Sequence, residues 1–513
     1  MPESFGRQLR QHILQGPAEP GKWAVCATFS VVLLLSLGLG LWQAGAKPFW
    51  FDEILTIEVS RLPSAEARWQ SLYDGCDGMP PGYYRIAALA GSLPLDEHIR
   101  WRLPSIIGWL LALSGLYQFI ASVRGRSAGL AAMLLLALTP VSAYAWEARP
   151  YALLLGVLAW AAAAWRKADR HWIWCAILAA LLTAATNLHY LAPLSVVCFA
   201  LAEVALSLAR RKLRWTVWAA FAVAAIPTAA ALPLLIKMKA DFGAHFWARP
   251  ELGGLPYYYG NLLGFPLTVG LMLLPFGFAY LVRGILREVP DNSRWQALVL
   301  ALSLLLLPLL SLVFTLATHG GFNERYAMPV VLGYAAAVPL LLEWNPGGVA
   351  RGFTLSLLLA FLILTGREAA RLRSEPPARH TGQNSAALLA LRTNPNETLV
   401  VANPLEFLTG WYYATPVERA RLLYLGEPEA ANRLGGTDGA VRLLLALHRT
   451  NAVPVRTFDA FLPNTPSLLL FASGPARLNW QVLRLKELGW RLEALGGVAG
   501  GDLYRASAPR PGS

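Results

Sequence analysis

Two adjacent carboxylates, Asp52 and Glu53, sit in the stretch Phe49-Trp50-Phe51-Asp52-Glu53, just after an apolar run from Trp23 to Trp42. A carboxylate shielded from water can act as a general base and take the proton of an attacking hydroxyl. The flanking aromatics favour the lipid–water boundary. Paired acids beside a membrane are expensive and call for a reason. Asp52 reads as the base, and Glu53 as a neighbour that orients substrate or pairs with an arginine. Further polar groups recur at the ends of later apolar runs: Arg102, Glu147 and Arg149, His189 and Tyr190, then Arg325 and Tyr326. Guanidinium forks suit a phosphate and stabilise the charge it gains as a bond breaks. His189 and Tyr190 offer hydrogen bonds to a sugar or phosphate. Blander readings stand beside these. Asp52 is then a solvated helix-end acid, and the arginines snorkel or pair internally, Glu147 with Arg149 and Glu324 with Arg325.

The elements that must position these groups are membrane helices. The 513 residues are 56% hydrophobic and 15% charged, with a formal net charge of +13. Runs of roughly 20 apolar residues, the length that crosses a bilayer core, recur over the first two thirds of the chain. After 23–42 they cover 102–123, 128–146, 151–166, 172–187, 191–209, 216–237, 266–283, 296–318, 328–343 and 352–366. The first run lacks a signal-peptide cleavage pattern and reads as a retained helix. The breaks alternate between basic (Arg124-Gly125-Arg126, Arg166-Lys167, Arg210-Arg211-Lys212-Leu213-Arg214, Arg283 to Arg294) and mixed polar. Cytoplasmic loops carry the excess of Lys and Arg, so the mixed set, Asp52-Glu53 included, belongs outside. Nucleic acid is the weaker explanation of the positive charge. Pro80-Pro81 opens an apolar piece of about 13 residues, too short to span, read as a helix on the outer face.

Residues 1–22 read as a cytoplasmic segment, 23–366 as the membrane domain with an outer first loop (44–101), and 367–513 as an outer α/β domain after a charged, proline-containing linker. In that domain 398–402, 421–425, 467–472, 490–494 and 503–506 read as strands, and 405–413, 440–448 and 480–488 as helices. It carries no glycine-rich nucleotide pattern. The four cysteines and the histidines His189, His245 and His319 lack metal-ligand spacing, so no cofactor is indicated, although a divalent metal stays open. Tyr257-Tyr258-Tyr259 suits either sugar stacking or the bilayer interface.

The ordered set Asp52-Glu53, Pro80-Pro81-Gly82-Tyr83-Tyr84, Arg100-Trp101-Arg102-Leu103-Pro104-Ser105, Glu147-Ala148-Arg149-Pro150-Tyr151 and Glu324-Arg325-Tyr326-Ala327-Met328-Pro329 resembles the GT-C glycosyltransferases. It is most similar to the RgtA/B/C/D-like branch, related to protein O-mannosyltransferases and aminoarabinose–lipid A transferases. The resemblance implies a GT-C fold of about 11–13 transmembrane helices, in which a sugar leaves a polyprenyl-phosphate carrier for an acceptor hydroxyl at the outer face. It places the protein in a bacterial inner membrane with its site facing the periplasm. The implied acceptor is a cell-envelope lipid, glycan or protein, with membrane lipids as the other partners. Asp52 and Glu53 then belong to catalysis. Arg102, Glu147, Arg149, His189, Tyr190, Arg325 and Tyr326 belong to the donor phosphate and sugar. A single base with a phosphate leaving group makes inversion the simplest course, since a retaining reaction needs a placed nucleophile. A secondary transporter of an amphipathic or anionic solute is the alternative, and a non-catalytic envelope scaffold a third reading.

Overall fold

The computed structural model describes residues 21–509 apart from 244–245, 265–278, 280–292, 343–347, 375–381, 383 and 451–452. It is 73% helical, with an α/β domain at the C-terminal end. Among the described residues four helices are long and apolar enough to cross a membrane: α1 (Lys22–Ala46), α5 (Glu97–Arg124), α9 (Ala192–Arg210) and Gly352–Ser374 within the last long helix. Three more candidates are bent pairs: Arg126–Ala137 with Pro140–Trp146, Trp215–Ala230 with Leu232–Phe242, and Ser293–Leu305 with Leu307–Thr318. Tyr151–Lys167, Trp172–Leu188 and Val330–Leu341 are shorter apolar helices. The expected run 266–283 lies, but for one residue, outside the described residues. The last long helix, Gly348–Ser374, continues through Arg367–Arg373, so these residues are its closing turns rather than a linker.

The first loop folds into short helices: α2 (Phe51–Ser60), α3 (Ala65–Tyr73) and α4 (Pro81–Gly91). Pro81 at the first position of α4 is preorganised for a helix start. Its 11 residues rise about 16 Å, far short of a bilayer core.

Glycines fix the central crossing. A methyl on Gly108 of α5 would lie 2.3 Å from the Cα of Leu153, and one on Gly156 would lie 2.5 Å from the Gly108 carbonyl oxygen. Only glycine lets α5 and the helix Tyr151–Lys167, labelled α7 with Arg126–Ala137 as α6, come this close. Ser105 then donates to the carbonyls of Glu147 and Arg149, the latter at 2.8 Å. The start of α5 is thereby locked to the loop that opens α7.

The C-terminal domain holds a six-stranded sheet of order β3-β2-β1-β4-β6-β5. The strands are β1 (Leu399–Val401), β2 (Leu422–Gly426), β3 (Val455–Thr457), β4 (Ser467–Ser473), β5 (Arg491–Val498) and β6 (Gly501–Ser507). β1, β2, β3 and β4 run parallel, with Leu399 opposite Leu422 on one side and Leu469 on the other. β6 pairs antiparallel with β4 and β5. β1 and β2 are buried throughout, as strands covered by helices on both faces must be. The sequence reading lacked β3, which has only three residues, two of them exposed.

Candidate active site

The polar residues picked out from the sequence converge at one end of the helices. Glu53 lies at the third position of α2 and is fully buried with Arg102. Arg102 Nε and Nη2 each donate to the Glu53 carboxylate at 2.7 Å, and the Ala148 N–H adds a third bond at 2.7 Å. The remaining Arg102 donors reach the carbonyls of Ala44, Lys47 and Pro48. Burial pushes the Glu53 carboxyl up, but the charge and hydrogen bonds of Arg102, with Lys47 and Ala148, hold it below its ordinary value. All five guanidinium N–H groups are thus engaged. The residues expected to assist catalysis and bind donor phosphate are instead occupied with one another. We assign them to holding the chain between α1 and α2.

Asp52, one residue earlier, faces the other way. Its Oδ2 lies 3.0 Å from Nη2 of Arg325, and both side chains keep some exposure, 18% and 14%. The Arg325 guanidinium sits among the rings of Trp50, Tyr151 and Tyr326, at 5.7, 5.7 and 5.8 Å. Its Nε is buried and has no partner among the described residues. Arg149 approaches Asp52 from behind. It donates to the Asp52 carbonyl (3.0 Å), to Thr56 Oγ1 (2.9 Å) and to Asp77 Oδ2 (2.7 Å). Asp77 escaped the sequence reading because Asp77-Gly78 looks like a turn. Asp77 does accept the Gly78 N–H at 2.7 Å, as a turn residue would.

The internal pairs allowed by the sequence do not form. Glu147 takes Lys47 Nζ at 2.9 Å rather than Arg149, and Glu324 accepts from Asn261 at 3.3 Å rather than pairing with Arg325. Glu147 Oε2 is buried without a partner among the described residues. Burial raises the Glu147 pKa, with Glu53 adding to the shift and Lys47 opposing it. An acid whose folded pKa is raised loses stability as pH climbs past the unfolded value. Glu147→Gln is therefore expected to be at least as heat-stable as the wild type at pH 7. The difference should vanish below about pH 4.5, where Glu147 is protonated in both states. A large drop in thermal midpoint at pH 7 would instead make Glu147 a structural ion-pair residue.

His189 is buried between the rings of Tyr151 (5.7 Å) and Tyr326 (5.2 Å). Its Nδ1 accepts the Leu191 N–H at 3.1 Å, which leaves the proton on Nε2. Burial, then the charges of Arg149 and Arg325, push its pKa down to about 3, so it is a neutral donor. Tyr190 is partly buried, and burial together with Asp77 raises its phenol pKa. The other described aromatic and histidine candidates make other contacts. Tyr258 packs on Phe322, Tyr259 donates to the Leu305 carbonyl, and His319 ends a helix in the left-handed region. His245 is outside the described residues. The described cysteines are free, and no group of three His, Cys, Asp or Glu side chains able to hold a metal occurs among the described residues.

No protein-family model and no curated protein matches the chain. Solved structures do. ArnT from Cupriavidus metallidurans bound to undecaprenyl phosphate superposes with a TM-score of 0.53 at 14% identity, over 95% of this chain and 98% of that one. Its apo structure gives 0.54 at 15%, over 94% and 98%. ArnT is an aminoarabinose lipid A transferase of the GT-C superfamily. This is the GT-C fold. The sequence resemblance to GT-C proteins thus holds at the level of the fold.

The α/β domain also touches the cluster. Its helix Pro404–Tyr413 ends against the first loop. The Phe49 N–H donates to Tyr413 Oη at 2.6 Å, across 364 positions of sequence. Tyr413 Oη also meets His98 Nε2 at 2.9 Å, and the His98 ring stacks on Phe49 at 4.5 Å. Beside it Tyr412 donates to Glu97 at 2.9 Å. The segment leading into Asp52 is therefore clamped by Arg102 on one side and Tyr413 on the other. Tyr413→Phe keeps the ring and removes the acceptor for a backbone N–H, a loss worth about 1–3 kcal/mol. We expect it to lower kcat several-fold while leaving donor KM within about twofold. Equal loss in both, or none in either, would show that Tyr413 does not position the Asp52 segment.

Proposed function

We propose that the protein is an integral membrane glycosyltransferase that moves a sugar from a polyprenyl-phosphate carrier to an acceptor hydroxyl at the outer face of the membrane. The observation that carries the reading is the Asp52–Arg325 pair, 3.0 Å apart and walled by aromatic rings at the ends of apolar helices. A carboxylate base and a phosphate-binding guanidinium are the two groups such a transfer needs at one centre. The GT-C fold, shared with an ArnT bound to undecaprenyl phosphate, supports it.

In the proposed reaction the acceptor oxygen attacks the anomeric carbon while its proton passes to a carboxylate oxygen of Asp52. The bond from that carbon to the carrier phosphate oxygen breaks, and the phosphate leaves with the electron pair. One attack from the face opposite the leaving group inverts the anomeric centre. Arg325 would bind the phosphate and stabilise its growing charge. Neutral His189 would donate to the ligand through Nε2. Arg149 holds the Asp52 backbone rather than the ligand. Glu147 and Lys47 would form a second polar wall, with one buried carboxylate oxygen that has no partner among the described residues. The proposed location is a bacterial inner membrane with this cluster facing the periplasm. The donor sugar is a hexose or pentose, and the acceptor an envelope lipid, glycan or protein. A transporter would place its ionisable groups near mid-membrane, whereas these lie at helix ends.

The test is transfer of label from a radiolabelled polyprenyl-phosphate sugar pool to cell-envelope fractions in membranes carrying the protein. Wild-type membranes should move label, and Arg325→Ala should need about 10–100-fold more donor, the scale of a lost charge-assisted phosphate contact. No transfer from any donor tried would return the transporter reading.

A further inference from the structure

The far end of the bundle carries a second feature. α9 has 19 residues and so spans about 28 Å, close to a bilayer core. It begins beside His189 and ends at Arg210, so its C-terminal end marks the membrane surface opposite the candidate active site. A groove of ≈ 260 Å³ opens there, lined by Ser207, Leu208, Arg211, Lys212, Leu213 and Trp218 among others. Trp215 and Trp172 are 73% and 69% exposed at the same level, as interfacial tryptophans are.

Among the described residues the charges at this end do not balance. Glu203 is fully buried and accepts from Trp165 Nε1 at 2.9 Å and from Arg214 Nε at 2.8 Å. Asp169 pairs with Arg210 at 2.7 Å and Arg214 at 3.3 Å. Both nearby acids are thus taken. Arg211 and Lys212 form no ion pair among the described residues, and no carboxylate lines the groove. Arg211 turns the chain in the left-handed conformation, φ 52°, while the N–H groups of Arg211 and Lys212 close the carbonyls of Leu208 and Ser207. The helix end is therefore capped by its own backbone, and the two cationic side chains are available to an outside anion. The groove walls are apolar, and the Ser207 hydroxyl is buried without a partner among the described residues.

Two cations without an ion pair among the described residues, above an apolar groove at headgroup depth, match one occupant. We propose that this groove binds an anionic phospholipid of the leaflet opposite the candidate active site. Its headgroup phosphate lies between Arg211 and Lys212, and its acyl chains run along Leu208, Leu213 and Trp218. Basic pockets at this depth between membrane helices select anionic headgroups in this way.

The purified full-length protein is titrated with phosphatidylglycerol or phosphatidylcholine of matched chains, and bound lipid is counted by native mass spectrometry. The wild type should prefer phosphatidylglycerol by about tenfold, the scale expected of two interfacial cations. Arg211→Gln with Lys212→Gln should abolish the preference, and Arg211→Lys with Lys212→Arg should retain it. A second measurement does not depend on the neutral variant folding. A photo-crosslinking residue in place of Leu213 should capture labelled phosphatidylglycerol in preference to phosphatidylcholine. Equal binding of the two lipids by the wild type would overturn the proposal. So would a preference that survives the neutral double variant, or crosslinking of polyprenyl phosphate in place of phospholipid.

Discussion

Asp52→Asn is expected to lose transfer while binding polyprenyl phosphate more tightly than the wild type. The two effects share one cause. The amide keeps the shape of the carboxylate but cannot take a proton, which would remove the proposed general-base catalysis, worth about 10²–10⁴-fold. The same carboxylate lies 3.0 Å from Arg325. An incoming phosphate must therefore displace Asp52 from the guanidinium and bear the repulsion of a second anion. Removing the negative charge removes both penalties. For a pair that keeps some exposure the release is about 1 kcal/mol, or roughly a fivefold lower Kd. Binding of a short-chain polyprenyl phosphate to detergent-solubilised protein measures this apart from turnover. Binding by the wild type tests the proposed donor class, and its ratio to the variant tests the Asp52–Arg325 competition. Weaker or unchanged binding by the variant would remove that competition, and retained transfer would remove Asp52 as the base.

Arg102→Ala, in α5, should be the most destabilising single change around the first loop. Removing one partner of a buried ion pair costs about 3–5 kcal/mol, because the other charge is left uncompensated. Here the loss extends to the carbonyls of Ala44, Lys47 and Pro48, which also accept from Arg102. For that reason an apolar double replacement, Arg102→Met with Glu53→Leu, should not recover wild-type stability, although buried pairs in other settings can be replaced this way. The pH dependence has a definite sign. The folded-state pKa of Glu53 is depressed, so its contribution is fully present above its unfolded value of about 4.5 and is lost as pH falls through the folded value. Thermal unfolding in detergent between pH 7 and 3 should show this acid loss in the wild type and a flatter profile in Glu53→Gln. A wild-type midpoint for Arg102→Ala would disprove the clamp between α1 and α2.

Much of the architecture was legible without coordinates. The described apolar runs are helical, the short piece after Pro80-Pro81 is a helix too short to span, and the strand and helix alternation after residue 398 is a mixed sheet with covering helices. Hydropathy, length and turn chemistry are local properties, and a window of 10–20 residues contains them. That these polar residues gather at one end of the helices was legible for a related reason, since a charged group at the end of an apolar run stands out against its surroundings.

The tertiary structure decided which charges are partners. Asp52 and Glu53 are neighbours in sequence, yet successive helical positions point about 100° apart. One is chelated in the wall by Arg102, while the other faces Arg325. Glu147 and Arg149, two residues apart, turn to Lys47 and Asp77. Lys47, Asp77 and Tyr413 carried no sequence signal, because each gains its meaning from a group brought near only by packing. The sequence by itself determined a many-helix membrane protein with polar groups at the helix ends and an α/β domain behind it. Only the fold decided which acid is buried in a structural pair and which is left facing a cation, because desolvation and charge–charge attraction depend on distance in space and not on separation along the chain.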